Sequence, residues 1–316
     1  MIHCFSEASL DDLMREATTA LFQSGEDTLP TKGRAREIRG ITLELTNPLA
    51  RLSRSESRGR LFSCLGELCW YLSGSEMVEP VSYYITKYPK YAESDGIVHG
   101  AYGPRLFDFD GVDQVQTVIS ILKVKPDSRQ AVIQIFDHQD LAVPYKHVPC
   151  TCLLQFFVRS GRLDAITYMR SNDIYKGLPH DIFAFTMVQE IIARSLGVEL
   201  GTYTHMIGSL HLYETDETHM RAYIDEGWQS NIEMPSMPLE DPWRSLERFV
   251  AAEIDLRGGA ELDSLDFEEA PYWEDLVRIL AIFGLQKQGR EKEIPAVRGK
   301  LSDPNYEIYL TDRFGL

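Results

Sequence analysis

The chain of 316 residues lacks several features that mark broad classes of protein. It has no apolar run long enough to cross a bilayer, no recognisable secretory leader, no internal repeat and no low-complexity tract. Cations are scarce: 32 Lys and Arg stand against 48 Asp and Glu, for a formal net charge of -16. Because phosphate backbones are held mainly by Lys and Arg, this balance argues against a nucleic-acid-binding surface. We therefore expect neither a membrane nor a nucleic acid as partner.

Cysteine is also scarce, and its positions are informative. The five cysteines are an odd set without the spacing of a disulfide framework, which indicates free thiols in a reducing compartment. The expected location is the cytoplasm. His147, Cys150 and Cys152 could suggest a metal, but no second ligand pair at zinc-site spacing occurs elsewhere, so we predict no metal.

What is present indicates a large core. With 44% hydrophobic and 25% charged residues, the chain can form one big domain or a domain with an appendage. Strand-like and helix-like segments are mixed without regular alternation, which favours an α+β fold. A linker near 235–242 suggests a catalytic domain over 1–241 and a helical C-terminal segment over 242–316 packed on the same domain. Helices are predicted at 9–21, 60–72, 182–196, 242–256 and 272–283, and strands at 38–45, 130–136, 152–158 and 163–169.

One candidate nucleophile stands out, Cys150 directly after Pro149. The strand-like runs 152–158 and 163–169 are separated by a short turn, so they predict a hairpin that brings Cys150 beside Arg170. A thiol attacks as thiolate, and a nearby guanidinium lowers its pKa. An arginine can also grip a phosphate with paired hydrogen bonds. A cysteine at a strand start is usually a small buried hydrophobe, so its significance depends on the neighbouring motifs.

Those motifs carry a resemblance to a known family. The landmarks between Cys150 and Tyr213 resemble thymidylate synthases and their pyrimidine hydroxymethylase relatives, at the spacing of that family. They are Pro149-Cys150, Gln155-Phe156, Arg170-Ser171-Asn172-Asp173, Gly177-Leu178-Pro179 and His211-Leu212-Tyr213. The resemblance implies a mixed β-sheet flanked by helices and a homodimer packed through sheet faces with shared active sites. It also implies a pyrimidine mononucleotide substrate and 5,10-methylenetetrahydrofolate as co-substrate. A single nucleotide needs only a local basic pocket, so the acidic net charge does not exclude it.

The resemblance assigns roles by matched position. Cys150 would add to carbon 6 of the pyrimidine, and Glu67 would organise water and proton transfer around the ring, a task suited to a carboxylate whose pKa is raised by a desolvated cleft. Tyr102 matches a tyrosine near the thiol, and Asp173 an aspartate that contacts the folate ring. The remaining matches bind substrate: Arg170, Ser171 and Arg34 at the phosphate, Arg129 at the phosphate of the neighbouring subunit, and His211 with Tyr213 at the sugar hydroxyl.

Several of these residues have a simpler structural interpretation. Glu67 could be a paired buried acid, Tyr102 a packing aromatic and His211 a core histidine. Arg129 could be an ordinary surface charge. Lys32, Arg34, Arg36, Arg39, Arg51, Arg54, Arg58 and Arg60 form a basic cluster in the first quarter of the chain.

Asp181 is the residue expected to select the base. Thymidylate synthases carry asparagine there, which donates to the 4-oxo group of uracil and accepts from ring nitrogen 3. An ionised aspartate would instead accept from the amino group of cytosine, and against uracil it would meet the lone pairs of the 4-oxo group. Aspartate at this position resembles the cytidylate hydroxymethylases. Asp181 could also be only the N-cap of the helix predicted from Ile182.

We therefore predict a hydroxymethylase. The one-carbon unit would pass to carbon 5 of a cytosine nucleotide and water, rather than hydride, would capture it, giving 5-hydroxymethyl-CMP or 5-hydroxymethyl-dCMP. The residues leave ribose and deoxyribose unresolved. The alternatives are a thymidylate synthase that methylates dUMP and a non-catalytic scaffold of the same fold.

Overall fold

The computed structural model describes residues 3–53, 60–229 and 231–314. Its strands are β1 (His3–Glu7), β2 (Glu26–Thr28), β3 (Ala35–Leu45), β4 (Val132–Gln134), β5 (Thr151–Arg159), β6 (Arg162–Met169), β7 (Asn172–Asp173) and β8 (Glu199–Tyr213). Its helices are α1 (Leu10–Ser24), α2 (Leu61–Leu72), α3 (Val78–Tyr84), α4 (Tyr102–Phe107), α5 (Gln114–Val124), α6 (Leu178–Leu196), α7 (Glu217–Asp225), α8 (Trp243–Arg257), α9 (Pro271–Lys287), α10 (Ile294–Arg298) and α11 (Glu307–Phe314).

The strands form one mixed sheet. Their order is β1-β3-β8-β6-β5-β4, with β2 added to β3 and β7 to β8. β8 runs parallel to β6 and antiparallel to β3, so the sheet contains both kinds of ladder. A mixed sheet flanked by helices confirms the predicted α+β fold class.

The β5–β6 hairpin is the feature that positions the nucleophile. Its turn residues Ser160 and Gly161 have φ of 50° and 74°, the left-handed conformation that a tight hairpin turn requires. At the open end, the backbone N–H of Arg170 donates to the carbonyl of Cys150 at 2.9 Å. The predicted hairpin is therefore present and brings these two residues together.

Several element boundaries differ from the sequence prediction, among them the start of β3 at Ala35 and the end of α9 at Lys287. Two of the differences have a local cause. The strand expected over 130–136 is only Val132–Gln134, because the backbone N–H groups of Ile135 and Phe136 both donate to the carbonyl of Cys152 and end the regular ladder. Helix α6 begins at Leu178 rather than at Ile182, since Pro179 fits the first turn of a helix, where its missing N–H costs nothing.

Two hydrophobic clusters enclose α6. One packs α1, α5 and α6 against a face of the sheet. The other joins α2, α6, α8 and α9, with Leu65, Phe183, Phe249 and Trp273 among its fully or almost fully buried members. Side chains from both sides of the predicted boundary at 241 thus share a core, while the boundary itself stays a prediction.

The opposite face of the sheet carries exposed apolar groups. Tyr168 and Met206 are paired neighbours on β6 and β8 and are 40% and 39% exposed. Val132 on β4 is 40% exposed.

In the described part of the chain, no helix is both long enough and apolar enough to span a bilayer.

Candidate active site

The predicted nucleophile lies at the end of the hairpin. Cys150 is half-buried immediately before β5, and Arg170 follows β6 directly. The guanidinium of Arg170 donates to the carbonyls of Pro149 (2.9 Å) and Val148 (3.0 Å). These two hydrogen bonds fix the backbone segment that carries the thiol.

Two opposing effects set the pKa of the Cys150 thiol. Burial raises the pKa of Cys150, and the positive charge of Arg170 offsets that rise only in part; the nearby acid Asp181 raises the pKa further. The thiol form is therefore favoured in the free chain, although Arg170 lowers the pKa of Cys150 as expected. The cause is desolvation, which disfavours the charged sulfur more than one partly solvated guanidinium favours it.

Glu67 lies on α2 and is buried at 7% exposure. The hydroxyl of Tyr88 donates to its Oε1 at 2.9 Å. Burial raises the pKa of Glu67 to about 7, while hydrogen bonds from Tyr88 and Tyr71 lower it. This carboxyl can therefore take up and release a proton near neutral pH, which suits proton transfer and is more than a structural pair requires.

Tyr102 opens α4 beside the thiol. Its ring stacks on Phe185, and its hydroxyl oxygen accepts from the backbone N–H (3.3 Å) and the Oγ1 (3.0 Å) of Thr151. Burial raises its pKa well above the usual range, so it stays a neutral phenol. With its oxygen engaged as acceptor, the phenolic proton is left to donate.

Asp181 lies in the first turn of α6 and is not an N-cap. The N-cap of α6 is Gly177, and the Asp181 carboxyl accepts instead from Nδ2 of Asn172 at 2.7 Å. Burial, with the charge of Glu67 next, raises its pKa well above the usual range, whereas the bond from Asn172 lowers it. The neutral carboxyl is therefore favoured, and the expectation of an ionised aspartate needs correction because, among the described residues, no cation offsets its burial.

Asn172 was assigned no role from the sequence, yet it is 3% exposed and central to the site. Its Oδ1 lies 3.0 Å from Nε2 of His205, whose Nδ1 lies 2.7 Å from the hydroxyl of Tyr203. A polar residue in the Arg-Ser-x-Asp motif was the only sequence signal, since its partners on β8 are distant in the chain.

The residues expected to bind phosphate and sugar form a neighbouring group. Oγ of Ser171 lies 3.5 Å from Nδ1 of His211, and the rings of His211 and Tyr213 meet edge to face at 5.0 Å. Burial lowers the pKa of His211, while the charge of Asp173 raises it. Oδ1 of Asp173 accepts from the backbone N–H groups of Tyr175 and Lys176, whereas Oδ2 accepts no hydrogen bond within the described part of the chain.

The two other predicted phosphate ligands, Arg34 and Arg129, lie in different parts of the structure. Arg34 is exposed next to this group, and its carbonyl accepts from the backbone of Glu214. Arg129 is also exposed, and its carbonyl accepts from Gln155 on the open side of the sheet, so this chain alone does not bring it to the other site residues. Arg54 and Arg58 of the basic cluster lie outside the described residues.

Lys32, which the sequence placed only in the basic cluster, lies beside several aromatic rings. Nζ of Lys32 lies 3.3 Å from the hydroxyl of Tyr91, and its charge lowers the pKa of both Cys150 and His147. The ring of Tyr91 packs edge to face against Tyr88 and His147, at 5.5 and 5.4 Å between centroids.

Across residues 3–53, 60–229 and 231–314, no group of three or more His, Cys, Asp or Glu side chains is placed to hold a metal ion.

A partly buried thiol, two carboxyls of raised pKa and several hydrogen-bonding side chains therefore characterise this site. A sequence model of the thymidylate synthase family matches residues 48–270, more than half of the chain. The chain belongs to the thymidylate synthase family, whose members transfer one carbon from a folate to a pyrimidine nucleotide.

Two relatives show how the similarity is distributed. The chain is 28% identical over 260 residues to a deoxyuridylate hydroxymethyltransferase of Bacillus phage SP01, covering 78% of this chain and 68% of the relative. It is 34% identical over 128 residues to a thymidylate synthase of Mycoplasma pneumoniae, covering 40% of this chain and 43% of that relative.

Proposed function

We propose that this enzyme transfers a one-carbon unit to carbon 5 of a cytosine nucleotide and that water captures it, giving 5-hydroxymethyl-CMP or 5-hydroxymethyl-dCMP. The observation that carries the choice of base is the buried carboxyl of Asp181, supported by Asn172. The membership of the family supports the one-carbon transfer itself.

A carboxyl at position 181 matches the edge of cytosine in either protonation state. When neutral, it donates its proton to ring nitrogen 3 and accepts from the 4-amino group; when ionised, it still accepts from the amino group. Uracil fits only the neutral form, and only if the proton is on the oxygen that faces the 4-oxo group. A clash of buried acceptors costs about 1–3 kcal/mol, or roughly tenfold to hundredfold in selectivity.

The neutral acid also suits the chemistry. When the sulfur of Cys150 adds to carbon 6, electron density moves to carbon 5 and to ring nitrogen 3, where Asp181 can donate its proton. Glu67, with its pKa about 7, can then exchange a proton at the ring, and the phenol of Tyr102 can donate a hydrogen bond close to the thiol. Because burial raises the pKa of Cys150, its proton must pass to solvent as the sulfur adds to carbon 6. The negative charge of a phosphate bound at Arg170 would oppose this loss.

The residues beside the thiol fit a folate co-substrate. Tyr88, Tyr91 and His147 offer flat apolar surface, and Oδ2 of Asp173 can accept from an N–H of a pterin ring. 5,10-Methylenetetrahydrofolate supplies the one-carbon unit. The predicted phosphate and sugar contacts then fall to Arg170, Ser171, Arg34, His211 and Tyr213.

A second copy of the chain completes the proposal. The exposed apolar groups Val132, Tyr168 and Met206 support association through the open sheet face, as expected for a homodimer. Arg129 lies close to that face through Gln155, where it could reach the phosphate of the neighbouring subunit.

A second candidate function is hydroxymethylation of a uracil nucleotide. It is favoured by one specific observation, the similarity to a phage protein named as a deoxyuridylate hydroxymethyltransferase. In this case Asp181 would have to remain neutral, with its proton directed at the 4-oxo group.

Separate reactions of CMP, dCMP, UMP and dUMP with methylenetetrahydrofolate test the proposal. Mass analysis identifies the base, the sugar and the added group, and absorbance reports dihydrofolate, which only a synthase would form. We expect a hydroxymethylated cytosine nucleotide without dihydrofolate. Product from uracil nucleotides alone, or a methylated product, would contradict the proposal.

A further inference from the structure

We infer that Asn172 is a positioning residue that sets base preference by making the two oxygens of the Asp181 carboxyl unequal, and that His205 and Tyr203 hold its amide in the required orientation. The identity of the favoured base rests on the proposed function; the control of preference by Asn172 does not.

The four side chains form one continuous hydrogen-bonded chain. Tyr203 contacts Nδ1 of His205 at 2.7 Å, Nε2 of His205 contacts Oδ1 of Asn172 at 3.0 Å, and Nδ2 of Asn172 donates to Oδ2 of Asp181 at 2.7 Å. Tyr203 and His205 are both 0% exposed and lie on the core side of β8.

Only one direction of donation serves every link with Asp181 as acceptor. Burial lowers the pKa of His205 to about 3, so the imidazole is neutral and has one N–H. If the amide of Asn172 donates to Asp181, its Oδ1 needs a donor, which must be Nε2–H of His205. Nδ1 of His205 is then an acceptor, and the hydroxyl of Tyr203 donates a hydrogen bond to it.

This direction matters because a neutral carboxyl is otherwise ambiguous. It has one O–H and one acceptor oxygen, and exchange of the proton between them would match either the cytosine or the uracil edge. A fixed N–H donor at Oδ2 makes that oxygen the acceptor and leaves the proton on Oδ1. One of the two pairing patterns is thereby favoured before any base arrives.

The packing around the contact supports a dedicated arrangement. A Cβ on Gly177 would lie 2.9 Å from Nδ2 of Asn172 and 3.2 Å from Oδ2 of Asp181, so glycine leaves room for the bond. Burial of the polar groups of Asn172 and His205 costs free energy unless each is paired, and apolar residues would fill the same space without that requirement. Glu67 on α2 and Asp173 on β7 are the acids whose charges act on Asp181, whereas Asn172 is the side chain that donates a hydrogen bond to it.

The test measures base preference, the ratio of kcat/KM for CMP to that for UMP, with dCMP and dUMP as a second pair. Asn172→Leu removes the donor, and His205→Phe removes the group that orients it. His205→Gln restores an N–H near Nε2 and serves as the conservative rescue. Gln189→Met is the matched control. Gln189 is a buried polar residue of α6, the helix that also carries Asp181, but it donates to the carbonyls of Leu163 and Thr202, away from Asp181.

We expect Asn172→Leu and His205→Phe to change the ratio by about tenfold or more, in line with loss of one buried hydrogen bond. His205→Gln and Gln189→Met should stay within about threefold of the unmodified enzyme. Equal losses with both bases, at an unchanged ratio, would mean a purely structural role and would overturn the inference. A ratio in the unmodified enzyme that favours uracil would contradict the proposed function only.

A measurement on the unmodified protein covers the case in which these variants do not fold. In protein with ¹⁵N-labelled histidine, the resonances of His205, assigned by contacts to Tyr203, should show a neutral ring protonated at Nε2. The opposite tautomer, or a charged ring at neutral pH, would overturn the inference. Where a variant folds but does not turn over, the ratio of dissociation constants for CMP and UMP replaces the kinetic ratio.

Discussion

Replacement of Tyr88 by phenylalanine isolates the hydrogen bond that tunes Glu67. The Tyr88 hydroxyl donates to Oε1 at 2.9 Å, and it stabilises the ionised carboxylate in a site that is 7% exposed. A hydrogen bond to a charged group contributes about 1.5–3 kcal/mol, and each pKa unit corresponds to about 1.4 kcal/mol. The pKa of Glu67 is about 7. Loss of the hydrogen bond from Tyr88 should raise this pKa, and with it the Glu67 limb of the pH–rate profile, by about one to two pH units.

The assay is release of tritium from carbon 5 of the preferred nucleotide, followed as kcat/KM against pH. Tyr84→Phe is a matched control, because the Tyr84 hydroxyl donates to Oε1 of Glu253 at the same 2.9 Å, in a buried pair outside the site. The control should leave the limb in place. A limb that stays fixed or moves to lower pH in Tyr88→Phe would show that Glu67 is not the titrating group.

Three further predictions follow from the site and the core. Cys150→Ser should lower tritium release by about 10³-fold or more, and retained turnover would exclude a thiol nucleophile. Asp181→Asn should shift the kcat/KM ratio toward uracil nucleotides by roughly tenfold to hundredfold, and an unchanged ratio would remove this residue from base selection. Glu190→Leu should lower the free energy of unfolding by about 3–5 kcal/mol in chemical denaturation, because it leaves the buried guanidinium of Arg51, now 2.5 Å from Glu190, without its partner. Arg51→Met in the same chain should recover much of that loss, whereas a cost below about 1 kcal/mol in the single variant would contradict the buried pair.

Local signals predicted the parts of the fold that depend on neighbours in the chain. Ser9 caps α1 by accepting from the backbone N–H of Asp12, and Gly197 ends α6 in the left-handed conformation, as such residues commonly do. The hairpin of β5 and β6 follows from its Ser160-Gly161 turn. The start of α6 was placed too late because the apolar periodicity was given more weight than the proline near its first turn.

The site was only partly predictable, because the protonation states and hydrogen-bond partners of its residues depend on tertiary contacts. The resemblance located Cys150, Glu67 and Asp181, but burial decides their protonation, and burial is not visible in a motif. The link between Asn172 and His205 depends on the register of β7 against β8, which aligns Asn172 with Leu210. No local pattern announces a contact between residues so far apart in the chain.

Strand β8 carries both the residues proposed to position Asp181 and those proposed to bind the sugar. It carries His205 and Tyr203 toward one end and His211 and Tyr213 at the other, and it is held on both sides by β3 and β6. Because neighbouring strand positions face opposite sides, one inserted or deleted residue between 205 and 211 would turn one of these pairs away. If the proposed function holds, substrate preference would therefore change by exchange of side chains along β8 and not by insertion or deletion of residues between 205 and 211.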